Sequence, residues 1–376
     1  MKTTITRLLK TLALLLAVLA FLSFMQGYVF AYIDQNTERV HSFYLEEENS
    51  LDVVFMGASD VNTAFAPGLA YEKFGFTSYL YAFDANPGSL YKYQLKEILS
   101  KQNPQVIVIE INGFLYPEDY QTNEARLRLF AENIPFSLNK LDAVFNYDVD
   151  DKISYLVPLI KYHGDWIKGN KLAETYRWRT GDGNKPALWK GVTACTLTRP
   201  VEPSVEQRKT PADPNANAIA EAQLIDFLEY CKKENLTNLV FTRFPHRNYV
   251  GHLAKVSRVE ELLNQYGYSL WNMENKLHEI GLDLNADFYD DEHVNIYGQE
   301  KMTEYIGSYL VSEWIDTPTS QSEKNAAHWS KCVEAYKSFN AYARYMTEAG
   351  IERWAAEEPY ELSFYYEWLE NGFLTP

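Results

Sequence analysis

The sequence predicts an α/β protein of three layers, with helices covering both faces of a parallel sheet. Three observations carry that expectation. Short runs rich in Val and Ile, Leu51–Met56 and Gln105–Ile111 above all, are apolar at consecutive positions, as strands buried on both faces are. Segments with apolar residues at helical spacing separate these runs, and their lengths suit right-handed crossovers between parallel strands. The chain has 376 residues, 46% of them hydrophobic and 15% aromatic, enough for a sizeable core rather than a disordered chain.

The first element is apolar. Between Lys10 and Asp34 lie 23 residues without a charge, which as a helix rising ~1.5 Å per residue would cross a bilayer core of ~30 Å. Lys2, Arg7 and Lys10 precede this run while Asp34 and Glu38 follow it, which predicts a cytoplasmic N-terminus and an outside location for the bulk of the chain. A cleaved signal peptide is the rival, disfavoured by the length of the run and by a poor small-x-small pattern from Met25 to Ala31. The division that follows is 1–10 cytoplasmic, 11–33 membrane anchor, 34–50 juxtamembrane linker, 51–315 an α/β domain and 316–376 an aromatic-rich helical extension.

Beyond a polar helical stretch from Asn36 to Asn49 comes the strand Leu51–Met56, followed at once by Gly57-Ala-Ser59-Asp. A helix is expected at Pro67–Phe74, a strand at Thr77–Ala82, a loop through Asn86 and Gly88, and a helix at Leu90–Ser100. Pro104 stops that helix before the strand Gln105–Ile111, which ends in Asn112-Gly113. The sheet signal then lapses over about 115–214, an insertion of mostly helical pieces such as Lys152–Lys168, interrupted by prolines. Alternation resumes with a helix at Ala216–Glu234, the strand Asn238–Thr242, a helix at Val256–Tyr266, the strand Tyr268–Asn272 and a helix beginning near Met302. Polar residues from Asp316 onward form a linker, and a helix at Glu323–Glu348 carries Trp329, Val333, Tyr336 and Ala343 as a stripe expected to dock on the main domain, with a partner-binding surface as the rival reading.

Charge and cysteines exclude several functions. With 35 basic against 51 acidic residues the net charge is −16, which repels phosphate backbones, and no basic run interleaved with aromatics offsets it, so nucleic acid is not an expected partner. Cys195, Cys231 and Cys332 are odd in number, scattered and free of any CxxC pair, so neither a disulfide framework nor a zinc site is expected. The acids at Asp283, Asp287 and Asp290 imitate a calcium loop but lack its turn glycine and final glutamate. No cofactor is implied.

The chemistry begins at Ser59, directly after a buried strand, where open α/β sheets present ligands. A serine hydroxyl needs a base to accept its proton, and near neutral pH that base is a histidine held by a carboxylate. Asp290 and His293 are three apart, so one turn lets the carboxylate hold one imidazole nitrogen while the other faces the serine. A nucleophile elbow of the α/β-hydrolase type is disfavoured, because Gly57-Ala-Ser59-Asp-Val61 lacks the second glycine.

Gly57-Ala-Ser59 near the N-terminus and Asp290-Asp-Glu-His293 near the end of the sheet region resemble the serine and DxxH blocks of the SGNH/GDSL hydrolase superfamily. Within it, Lys161-Tyr-His163-Gly-Asp-Trp166, Phe241-Thr-Arg243-Phe-Pro245 and His293-Val-Asn-Ile-Tyr-Gly298 are similar to the membrane-anchored, DltD-like branch allied to membrane-bound O-acyltransferases. The resemblance covers about residues 50–312. It implies a flavodoxin-like α/β/α fold and an extracytoplasmic serine esterase or acyltransferase. Its substrate would be an acyl ester or a cell-surface glycopolymer carrying acetyl or D-alanyl groups, and a membrane-bound O-acyltransferase would be a partner. A catalytically silent accessory subunit of such a complex is the alternative. The family's Gly-x-Asn-Asp block is missing, so the oxyanion donors expected beside the Ser59 amide are Asn112, with Asn86 or Gly88. His163 and Arg243 are candidate substrate-binding residues, each with a structural role as its rival. His246 and His252 read as loop residues, and His41, His278 and His328 have no constellation.

Overall fold

A computed structural model describes residues 2–25, 35–162, 164, 169–181, 184–193, 195–201, 218–246 and 250–349. Five strands, β1 (Val53–Met56), β2 (Ser78–Leu80), β3 (Val106–Glu110), β4 (Leu239–Arg243) and β5 (Leu270–Asn272), form one sheet in the order β2-β1-β3-β4-β5. Every pairing is parallel, with Val54 opposite Tyr79 and Ile107, and Val108 opposite Val240. This is the flavodoxin-like order, whose connections diverge between β1 and β3 and leave a crevice at the carboxyl ends of those strands.

The central strands β1, β3 and β4 are mostly apolar and buried because each face is covered, while the edge strand β5 is half-buried. On one face Val54, Met56, Ile107, Ile109 and Phe241 pack against α2 (Gln35–Leu45), α5 (Tyr91–Lys101), α12 (Ala218–Lys233) and α13 (Val250–Gln265). On the other, Val53, Phe55, Val106 and Val108 meet α3 (Ser59–Ala64), α4 (Pro67–Phe74) and α15 (Ile296–Glu313), the last through Met302, Ile306 and Leu310. The predicted helix near Met302 thus starts six residues earlier, capped by Asn295, whose Oδ1 accepts from the Tyr297 and Gly298 amides at 3.0 and 3.2 Å.

The region expected to be a linker before β1 is part of the core. Helix α2 buries Val40 and Phe43 together with Arg39, whose guanidinium donates to Asn36, Ala82 O, Gly191 O and Thr193 at 3.0–3.2 Å. Preceding it in sequence, α1 (Lys2–Phe24) has Thr4–Phe24 long and apolar enough to cross a membrane.

The insertion is helical in its first two thirds: α6 (Glu118–Gln121), α7 (Glu124–Ala131), α8 (Leu138–Asn146), α9 (Lys152–Leu156), α10 (Pro158–Lys161) and α11 (Gly169–Thr180). The single helix expected over Lys152–Lys168 is broken at Val157, because Pro158 disfavours helical backbone in the residue before it. The later part runs along β2, where the Leu80 amide donates to Lys190 O at 2.9 Å. Gly191 (φ +88°) passes so close that a Cβ would lie 2.4 Å from Leu80 O.

After α14 (Leu277–Ile280) and α15, the terminal helix α16 (Glu323–Glu348) docks on α4 as expected, burying Trp329, Tyr336 and Ala343, with Val333 half-buried. Gly68 of α4 permits the approach: a Cβ there would lie 2.8 Å from Cys332 O and 2.9 Å from Tyr336 Cβ. The expected aromatic tail beyond Ala349 lies outside the described residues.

Candidate active site

Ser59 opens α3 at the end of β1, half-buried, so its amide is among those that find no acceptor within the helix. Gly57 is required before it, since a Cβ would lie 2.6 Å from Val61 Cγ2 and 2.8 Å from Glu110 Cβ.

His293 reaches the serine from a tight hairpin before α15. An antiparallel bridge joins Phe288 to Val294, and the Tyr289 amide donates to His293 O at 2.9 Å. Asp287 anchors the base of this hairpin, accepting from Lys301 Nζ and the Asp283 amide at 2.6 Å each. At the tip, Asp290 Oδ1 accepts from the Glu292 and His293 amides at 2.8 Å each, fixing the carboxylate by local backbone.

The structure brings Ser59, His293 and Asp290 into one line. Ser59 Oγ lies 2.9 Å from His293 Nε2, and His293 Nδ1 lies 2.9 and 3.0 Å from the two Asp290 oxygens. Burial works against the imidazolium. The hydrogen bond and charge of Asp290, with the charges of Asp60 and Glu292, nonetheless raise His293 above its ordinary pKa. Burial would likewise raise the Asp290 carboxyl, but His293 and the two amides hold it below its ordinary value. Such an arrangement can take a proton from the serine and keep the resulting imidazolium oriented.

Behind the serine lies a polar network that the sequence analysis did not foresee. Asp60 is buried, with Oδ2 3.0 Å from Nε2 of His246, also buried. Burial and the Arg243 charge push His246 down to about 4, so its imidazole is neutral beside Asp60. Glu110 faces the same cluster. Burial and the Asp60 charge push its carboxyl well above the usual range, against the pull of Arg243. Asp60 carries the negative charge: burial opposes this, but His246, Arg243 and His293 hold its pKa below the ordinary value.

Several expectations need correction. Arg243 is fully buried, donating to Glu274 at 3.0 Å and Asn112 Oδ1 at 2.9 Å and pairing with Glu110 at 3.5 Å, so it cannot grip a polymer from solution. Asn86 is not a donor to an oxyanion: both hydrogens of Nδ2 are spent, on Gly57 O and Gln94 Oε1, each at 2.9 Å. Asn112 Nδ2 donates to the Tyr116 hydroxyl at 3.3 Å, leaving one N–H. Gly88 is buried where a Cβ would lie 2.3 Å from the Phe114 ring, so packing explains the glycine. His246 lies in the loop after β4 as expected, buried beside Asp60, whereas His252 belongs to α13. His328 has a constellation after all, since its Nε2 lies 2.9 Å from Lys190 Nζ. His163 lies outside the described residues. The three cysteines are buried and in no disulfide, and among the described residues no cluster of His, Cys, Asp and Glu could hold a metal ion.

No protein-family model matches the chain, and no curated protein matches it.

Proposed function

We propose that this chain is a membrane-anchored, extracytoplasmic serine esterase or O-acyltransferase. The observation that carries the reading is the unbroken line Ser59 Oγ, His293 Nε2, His293 Nδ1 and Asp290, with both contacts near 2.9 Å. In the proposed reaction Ser59 Oγ attacks an acyl ester carbonyl as His293 takes its proton. The tetrahedral oxyanion is met by the Ser59 amide and by the remaining N–H of Asn112. His293 then returns the proton to the departing alcohol, and Asp290 keeps the imidazole in the tautomer that makes both transfers possible. Water as the second acceptor makes the protein an esterase; a sugar hydroxyl makes it a transferase.

The apolar α1 and the charges flanking it support a single-pass protein with the domain outside. The resemblance of the serine and DxxH blocks to the SGNH superfamily supports an acetyl or D-alanyl ester on a cell-surface glycopolymer as substrate, with a membrane-bound O-acyltransferase as partner. The engagement of both asparagine side chains favours a second reading, that of a silent accessory subunit of such an enzyme.

A fluorophosphonate probe separates the two. We expect covalent labelling at Ser59, read by mass, that is lost in Ser59→Ala and in His293→Ala while both variants keep their circular dichroism. Absence of labelling in the folded wild type would select the accessory reading. Labelling that survives Ser59→Ala would refute the serine assignment.

A further inference from the structure

The insertion carries an apolar surface with no use in the chemistry at Ser59. Phe136 and Leu138 are 75% and 84% exposed, and Phe145, Ile153, Val157 and Ile160 are exposed as well. These residues lie on or next to the consecutive short helices α8, α9 and α10. Leu138 and Phe145 are seven apart on α8, hence on the same side. The Lys152 ammonium donates to Phe145 O at 2.6 Å, which sets the start of α9 against the end of α8. Ile153, Val157 and Ile160 follow on α9, the break and α10, linked by backbone hydrogen bonds from Val157 to Ile153 O and from Ile160 to Val157 O. Contiguous exposed patches of this kind mark interaction surfaces.

Two contacts relate the insertion to the end of α1 and to the helix that follows it in the chain. The ring of Tyr176, on α11, lies edge-on to Phe24 at the end of α1, with centroids 6.5 Å apart. Asn133, three residues before Phe136, donates to Thr37 Oγ1 at 3.4 Å. Thr37 is thirteen residues beyond Phe24, a tether of at most about 45 Å even fully extended. Asp148, Asp150 and Asp151 are exposed at the rim, so an anionic surface would be repelled and a zwitterionic one tolerated.

We infer that the face formed by Phe136, Leu138, Phe145, Ile153, Val157 and Ile160 lies in the headgroup boundary of the membrane that holds α1, and favours zwitterionic lipid. The domain is then held at two points, by a spanning helix and by an interfacial apolar face, and cannot tumble about its tether. This does not depend on the chemistry assigned to Ser59.

The native cysteines are all buried, so a single introduced thiol can be labelled selectively. The full chain is reconstituted in phosphatidylcholine vesicles with an environment-sensitive fluorophore at Leu138→Cys or Ile153→Cys, and at exposed Glu334→Cys on α16 as control. Both insertion sites are well exposed, so the substitutions spare the core. We expect nitroxide-bearing lipid to quench the two insertion labels several-fold more than the control, and added phosphatidylglycerol to weaken that quenching. Equal quenching at all three positions, with equal access to aqueous iodide, would overturn the inference and leave the face to a protein partner. Protection that grows with the protein-to-lipid ratio would overturn it in favour of a second copy of this chain.

Discussion

His293 sits among three carboxylates, of which only Asp290 touches its ring. A base whose pKa lies above the ordinary 6.5 is inactive while protonated, so the acid limb of kcat/KM for ester turnover is expected above pH 6.5. Glu292→Gln removes one of the charges that favour the imidazolium and should move that limb to lower pH, as a pH-rate profile would show. Stability carries the same sign: a raised histidine stabilises the fold below its unfolded pKa, and that contribution is lost as pH rises through the folded value. Arg243 poses a different problem, since removing it strands Glu274 without its buried cation. Arg243→Met is expected to cost about 3–5 kcal/mol in denaturant unfolding, and Arg243→Lys should recover little because it loses the forked donors. Ser59, Asp290 and His293 were legible because each is announced locally, by a strand end or by a three-residue spacing. Asp60, Glu110, His246 and Glu274 were not, because their role rests on burial against residues far away in sequence.

The hairpin that presents His293 is built as tightly as the helix it precedes. Gly298 in the first turn of α15 would bring a Cβ within 2.3 Å of Asp287 O, so Gly298→Ala must push the hairpin outward. Its expected signature is a fall in kcat/KM out of proportion to any loss of stability, measured on the same preparation by turnover and by urea unfolding. Asn295→Ala removes the cap and should cost about 1 kcal/mol of stability. The start of this helix was misread because Val294 and Asn295 belong to the bridge and cap, while helical periodicity becomes clear only at Met302 and Ile306. Strands β1 and β3 are legible for the opposite reason, since a run buried on both faces needs no periodicity to be recognised.

Across the whole molecule, one buried cation ties together segments from the start, the insertion and the end of the chain. Lys190 Nζ donates to both oxygens of Glu46, the residue just after α2, at 2.6 and 2.7 Å, lies 2.9 Å from His328 Nε2 in α16, and sits 4.9 Å over the Trp329 ring. Burial and neighbouring lysines push His328 down to about 4, so its imidazole is neutral and accepts from Lys190. Lys190→Met is expected to cost about 3–5 kcal/mol, seen as a lower urea midpoint, because Glu46 would be left buried without its partner. The docking of α16 is legible in the stripe at Trp329, Tyr336 and Ala343, whereas α2 reads as a linker because its polar residues hide partners such as Gly191 and Thr193. The same junction sets an order of events in time. Glu46 is made early but must wait for Lys190, 144 residues later, and for His328, 138 residues beyond that. A nascent chain therefore emerges with its first domain helix unsatisfied, and the last strand of the sheet is complete before that helix has all its neighbours. Closure over such separations is slow, so refolding should show a late phase in which α2 and α16 gain hydrogen-exchange protection together, after the central strands are already protected.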